Sequence, residues 1–475
     1  MANPSSPTAG TAAAVAAHRF GLGEPRLDAI GADPQGWLLA QIGPADPPRG
    51  GPLAGAAEAL RRHAEFLRAR RDAREAAADM KPVELRFVEH FRHIVEADLH
   101  SRIATASATS RPFAERLVLF WANHFTVSMA KAGARGLVGA FEREAIRPHV
   151  AGSFEQLLQA AVTHAAMLRY LDNHLSAGPD SRFVARLARR AQRDDDDERD
   201  GAPRAPRISG LNENLAREVL ELHTLGVDGG YTQADVTSFA RVLTGWRVPA
   251  LPRGDEAAIF DPAWHQPGPK TVLGKTYREG PESLAELLRD LARHPSTARF
   301  IATKLARHFV ADVPPASLVE RLAATFRRSD GHLPDVYREL VRAPEAWSAA
   351  PAKLKTPEEF VVSTGRVLGL GDNAAWLKPA ALGIAGMGQR LQAAPSPAGW
   401  PDRAEEWLGP EAVWKRVEWS TRVGERLGRD VDARTLARTS LGARLEPGTA
   451  VQIERAADGA QALALLLMSP EFQRR

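Results

Sequence analysis

The sequence predicts a mainly α fold: one large multi-helix single domain with a minor β-hairpin element near residues 271–277. Three observations predict it. Apolar residues recur with helical period along most of the chain, and segments with strand alternation are scarce. The 475 residues, 44% of them hydrophobic, are also enough for a substantial core.

The elements follow in chain order. Residues 1–11 are expected to be a flexible N-terminus and 12–475 a single domain. Helical patterns cover 34–42, 53–78 and 82–105. Between 113 and 128, Leu117, Phe120, Trp121, Phe125 and Val127 make a broad apolar stripe, and 137–147 is a further helix. Residues 154–171 read as one core helix through Leu157, Leu158, Ala161, Val162, Ala165 and Leu168, with His164 a hydrogen-bonded core histidine. The Arg/Asp/Pro-rich stretch 189–209 carries consecutive aspartates at 194–197. It is expected to be a disordered, solvated insertion, because adjacent like charges on mobile backbone repel and hold a cation weakly. Residues 271–277 alternate, with Leu273, Gly274 and Lys275 placed to turn a hairpin. Helices at 282–293, 296–310, 315–328, 333–342, 357–368 and 460–468 complete the pattern, and 43–55 and 392–403 are Pro-rich loops.

Composition removes several classes of function. The 62 Lys plus Arg against 58 Asp plus Glu leave a formal charge of only +4, so no basic surface for nucleic acid is expected. The Arg-rich helix near 61–74 is interleaved with Glu65 and Asp72 and reads as a solvated face. The absence of cysteine excludes disulfides, thiolate ligands and a cysteine nucleophile. No apolar run approaches the ~20 residues of a membrane span. Residues 1–17 carry no Lys or Arg ahead of a short Ala-rich run, which predicts no signal peptide and a cytoplasmic protein. No Gly-x-Ser-x-Gly elbow, Walker loop or dinucleotide fingerprint occurs. Gly21 and Gly23 fit a backbone turn after a short N-terminal helix.

The densest segment is 212–246. Glu213, Arg217 and Glu221 fall at i, i+4 and i+8, with Asn214 and Glu218 on an adjacent stripe. Gly226 fits a helix C-cap with His223 in the last turn, and Thr232 with Asp235 forms a capping-box variant opening a second helix. The charges admit two readings. His124, Glu218 and His223, joined by Glu221, are candidate ligands for a divalent metal, the one cofactor class raised by the sequence. Alternatively, Glu213, Arg217 and Glu221 form a partly buried ion-pair network that fixes how the helix docks. Spacing favours the network, since Glu221 and His223 are two residues apart and share no helical face. Asp172-Asn173-His174 presents a carboxylate and an imidazole, or stabilises its own loop. His265 is a loop residue placed to close over a site.

At these residues the chain resembles the bacterial family known as domain of unknown function 1800. The matching landmarks include His18-Arg19-Phe20-Gly21-Leu22-Gly23, Phe120-Trp121-Ala122-Asn123-His124-Phe125, Tyr170-Leu171-Asp172-Asn173 and Leu243-Thr244-Gly245-Trp246. Others are Gly210-Leu211-Asn212-Glu213-Asn214, Glu221-Leu222-His223-Thr224-Leu225-Gly226-Val227 and Pro397-Ala398-Gly399-Trp400-Pro401. At Ala122 the family pattern commonly has another histidine. The resemblance implies a large helical domain in an exported or envelope context, with a protein partner from a neighbouring sulfatase-like family.

Together these residues predict a ligand-binding or enzyme-like protein with one polar pocket. In it Asn123 and His124, Asp172 and Asn173, and Asn212, Glu213, Arg217, Glu218, Glu221 and His223 would converge. The rival expectation is a non-catalytic scaffold in which the same charges are architectural.

Overall fold

The computed structural model describes residues 9–75, 81–196, 210–252 and 254–475. Within them the chain is mainly helical, with two small antiparallel two-stranded sheets. One is the expected hairpin: Lys270–Val272 pairs with Lys275–Tyr277 across a two-residue turn in which Leu273 and Gly274 both have positive φ. The other, Trp246–Arg247 against Ile259–Phe260, closes the 248–258 loop.

Two apolar cores organise the helices. The larger runs from Ala13 to Trp347, and fully buried Trp121 donates Nε1–H to Tyr337 Oη at 2.6 Å at its centre. The Tyr337 hydroxyl in turn donates to the Val150 carbonyl at 3.0 Å, so both large rings are buried with their polar tips satisfied. The smaller core gathers Ile103 and residues between Phe360 and Phe472. Between the cores lies a seam of charge, bridged in one place by the apolar contact of Leu22, Ala106, Leu119 and Val362.

The seam follows from where helices begin and end. Thr356 and Glu359 form a capping box at the start of Pro357–Val367, which places Glu358 and Glu359 in the first turn, where the helix dipole favours carboxylates. Their oxygens then meet two arginines: Arg102 on Lys81–Ala108, the helix that lends Ile103 to the smaller core, and Arg116 on Pro112–His124, a helix of the larger core. The His18-Arg19 motif crosses the seam too. His18 Nε2 lies 2.7 Å from the Ser440 carbonyl, and Arg19 donates to the carbonyls of Ala346 and Ala350.

Several expected boundaries shift. The 154–171 helix breaks into Phe154–Thr163 and Ala165–Tyr170, because His164 adopts extended backbone and caps the second piece by accepting from Ala166 N–H. His164 is hydrogen-bonded as expected, with Glu144 at 3.0 Å, but at a helix joint. Helix Arg182–Asp196 runs into the stretch expected to be a disordered insertion, and the remainder of that stretch lies outside the described residues. Residues 9–11 of the expected flexible N-terminus belong to helix Ala9–Val15, and 1–8 lie outside the description. Helices Ala374–Gly386, Pro410–Leu427, Ala433–Leu441 and Pro447–Glu454 are additional to the periodicity pattern.

Among the described residues three π-helical segments, a conformation that takes well under ~1% of residues in ordinary proteins, recur beside buried polar groups. They are Ala16–Phe20, Glu142–Ile146 and Val219–Thr224. The last has a direct effect on the dense segment. Its extra residue per turn is closed by Thr224 Oγ1 donating to the Val219 carbonyl at 2.7 Å and Leu225 N–H to Leu220. Glu221 lies within this widened turn, while Glu213 and Arg217 precede it.

Candidate functional site

The expected site residues separate into three places. Glu213 and Arg217 pair at 3.2 Å and tie Asn214–Glu218 to the next helix, with Gln233 and Thr237 donating to the Glu213 carboxylate at 2.7 and 2.6 Å. Both groups reach solvent, and the cluster is a docking joint between two helices. Glu221 stands outside it and accepts from the Tyr231 hydroxyl at 3.4 Å. Glu218 has no hydrogen-bond or ion-pair partner among the described residues, and burial followed by the Glu221 charge raises its pKa.

The turn residues serve the backbone. Asp172, in left-handed conformation at φ 58°, pairs with Lys131 at 2.6 Å near the surface. Asn173 is buried and donates to the carbonyls of Leu243 and Trp246, holding the end of the second helix. The Asn212 side chain accepts from Asn214 N–H at 2.9 Å, starting the charged helix. His265 accepts at Nε2 from the buried Lys270 ammonium at 2.8 Å and places Nδ1 2.7 Å from the Thr244 carbonyl.

Asn123 and His124 alone among the expected residues line the cavity on the charged seam, a space of about 390 Å³. Small-molecule sites run from ~300 to 1,000 Å³, so one compact ligand fits. Asn123 pairs both ways with the backbone of Trp400: its Oδ1 accepts from Trp400 N–H at 2.8 Å and its Nδ2 donates to Trp400 O at 2.9 Å. This clamp sets the 397–402 segment as one wall. His124, 1% exposed, has Nε2 3.1 Å from the His223 carbonyl, and the two rings are 6.0 Å apart. His223 therefore backs His124 from behind the wall. Neither ring nitrogen of His223 has a partner among the described residues.

The opposite wall is helix Pro295–Phe309, where Phe300, Lys304 and His308 recur at i, i+4 and i+8 on one face. Phe300 and Phe120 bring that face against the end of Pro112–His124: Phe300 is 6.3 Å from the His124 ring, and Phe120 is 5.2 Å from His308. His308 Nδ1 meets the Asp402 carboxylate at 2.9 Å. Asp402 is also held by Lys353 and Arg475, at 3.3 and 3.4 Å, and Arg475 continues to Glu359, which binds Arg116.

Burial dominates the electrostatics. It pushes the His308 imidazole down to about 4, although Asp402 partly opposes it. Burial likewise lowers Lys304 to about 8, with Asp402 opposing and Arg307 adding to the fall. Glu359 is held at about 2: burial would raise it, but Arg116 and Arg475 more than offset that. His124 lies far below its usual range through burial and the nearby Lys304 charge. At neutral pH the cavity thus presents neutral imidazoles, ionised carboxylates already paired to cations, and the Lys304 ammonium. Lys304 has no hydrogen-bond or ion-pair partner among the described residues, and its ammonium stands 5.6 Å from the centroid of the Phe300 ring.

The metal set expected from sequence is not assembled. Among the described residues no group of three or more His, Asp or Glu side chains stands close enough to hold an ion. His124 Nε2 is engaged with a carbonyl, and Glu218 lies outside the cavity lining.

Lys304, His308, Asp402 and Glu359 escaped the sequence expectation. Two signals pointed to them: a Lys and a His at i, i+4 on a helix with an apolar opposite face, and an aspartate directly after Gly399-Trp400-Pro401. Fold and site thus define a large helical protein with a ligand-sized polar cavity between two cores. The chain belongs to the family described as Protein of unknown function (DUF1800), whose model matches residues 15–474, nearly the whole chain. No curated protein and no solved structure matches it.

Proposed function

We propose that this is an enzyme-like protein that binds a small molecule in the cavity between its cores. The observation that carries the reading is Lys304. A half-sheltered ammonium without a counter-ion destabilises a fold, and a ligand that supplies the counter-ion is a physical reason to keep it. The buried arginines of the lining have carboxylate partners, Glu358 and Glu142 for Arg102 and Glu359 for Arg116, whereas Arg307 on the Lys304 wall donates to the Asp312 carbonyl.

The scaffold reading makes the opposite prediction for stability. If Lys304 serves a ligand, Lys304→Met raises the unfolding free energy of the ligand-free protein by roughly 1 kcal/mol, since it removes a desolvated charge and keeps the volume. Glu359→Ala, by contrast, strands Arg116 and Arg475 and loses about 3–5 kcal/mol. Urea unfolding of both variants separates the readings. A Lys304→Met protein destabilised in the manner of Glu359→Ala would make Lys304 part of the architecture and remove the support for a binding site.

A further inference from the structure

Two cations without a carboxylate stand on one wall of the cavity. Lys304 and Arg307 both belong to helix Pro295–Phe309 and both line the space, three positions apart in the chain and so neighbours on the helix surface. Arg307 donates Nε–H to the Asp312 carbonyl at 3.3 Å, just past the end of the helix. This tethers the guanidinium and leaves both its Nη groups, like Lys304 Nζ, without a partner among the described residues. These nitrogens reach open space, unlike Nδ1 of His124 and Nε2 of His308, which are buried away from it. The two like charges repel, and Arg307 adds to burial in lowering the Lys304 ammonium. The acids of the lining do not relieve the pair. Glu358 and Glu142 are taken up by Arg102, Glu359 by Arg116 and Arg475, and Asp402 by Lys353, Arg475 and His308, so Asp402 acts on Lys304 only from beyond ion-pair distance. Glu405 pairs with Arg403, and Glu406 is exposed, where water and salt screen its charge.

We propose that the cavity takes a phosphoryl group, as inorganic phosphate or as the monoester of a compact molecule, held between Lys304 and Arg307. The proposal rests on the reading of the cavity as a ligand site. A phosphoryl group carries about 1.5 to 2 negative charges at neutral pH on three oxygens around one centre, so it answers two adjacent cations at once. Its oxygens suit the planar fork of Arg307, whose two free Nη groups can donate to separate acceptors while Lys304 supplies a compact charge. A carboxylate brings one charge and two oxygens to the same pair, and a dicarboxylate divides its charge between two ends. The cavity of about 390 Å³ has room for the body of a small ester beside its phosphoryl group, against the rings of Phe120 and Trp400.

The test is titration calorimetry of the full chain at pH 7 with inorganic phosphate, glycerol 3-phosphate, acetate and succinate. At least one of the two phosphates is expected to bind, with acetate and succinate each weaker by about tenfold or more. Lys304→Met and Arg307→Gln should each weaken the phosphate by a similar factor, and Arg307→Lys, which keeps the charge and loses the fork, should recover only part of the loss. Tighter binding of glycerol 3-phosphate assigns the site to esters, and the reverse order assigns it to free phosphate. Acetate or succinate binding as tightly as the phosphates would overturn the phosphoryl group, and so would full phosphate affinity in Arg307→Gln. If neither phosphate binds while Lys304→Met still stabilises the ligand-free protein, this ligand class is overturned and the cavity reading stands. If neither binds and Lys304→Met destabilises it, both fall.

Discussion

At the scale of single residues, the cavity is defined by what its polar atoms lack. Lys304 tests this through pH. Its folded pKa of about 8 lies below the 10.5 of an ordinary lysine, so between those values the unfolded chain binds more protons and wild-type stability rises with pH. The charged groups acting on it are Asp402, which favours the ammonium, and Arg307, which disfavours it, with neutral His124 and His223 alongside. The advantage of Lys304→Met is therefore full below pH 8 and shrinks toward pH 10.5. Unfolding of both proteins at pH 7, 9 and 10.5 checks it, and a difference that stays constant across the series would place an ordinary exposed ammonium at this position.

At the scale of elements, the cavity wall depends on a close approach of backbone. Gly399 sits at φ 84°, and a Cβ there would overlap the Asn123 carbonyl oxygen at the end of the Pro112–His124 helix. Gly399→Ala is expected to cost at least ~1–2 kcal/mol through strain and through loss of the Asn123–Trp400 clamp. Because Asp402 lies three residues on, the same change should also displace the partner of His308. Urea unfolding reads the first effect and the His308 imidazole ¹⁵N shifts read the second. A variant as stable as wild type with unchanged shifts would show that the 397–402 segment is not held this way. Helical period made the Glu282–Arg293 and Pro295–Phe309 helices legible, because each has a clean apolar face. It could not reveal the break at His164, which one side-chain cap produces, nor helix Ala374–Gly386, which Pro379 disguises. Nor could it reveal the π turn, since a stripe drawn at i, i+4 and i+8 assumes that no residue is inserted.

At the scale of the whole molecule, charge sits between two apolar cores, and this decides both the pH response and what the sequence could disclose. Asn123 and His124 were legible because polar residues ending an apolar helix are conspicuous. Lys304 and His308 were not, because beside Arg299 and Arg307 they resemble a solvated face. What buries them comes from the 397–402 segment and the Pro112–His124 helix, remote in the chain. The buried imidazoles also predict acid lability. His63, His174 and His308 are lowered by burial to about 4 and His223 to about 3, from an ordinary 6.5. Unfolding frees them to take up protons, so stability is lost as pH falls below 6.5, by roughly 1–2 kcal/mol per imidazole at pH 5. Asp98, raised to about 6 by burial, opposes this over part of the range, and Glu359, held at about 2, extends the loss to lower pH. A urea midpoint unchanged between pH 7 and pH 5 would contradict neutral, buried histidines.

The central claim is that the cavity between the cores is kept for a ligand, and an experimental structure of the protein as purified, without exchange of bound small molecules, tests it most directly. The account predicts density for one compact molecule in the cavity, with an acceptor group within hydrogen-bond distance of Lys304 Nζ. A cavity closed by side chains, with Lys304 paired to a carboxylate of the protein itself, would contradict it.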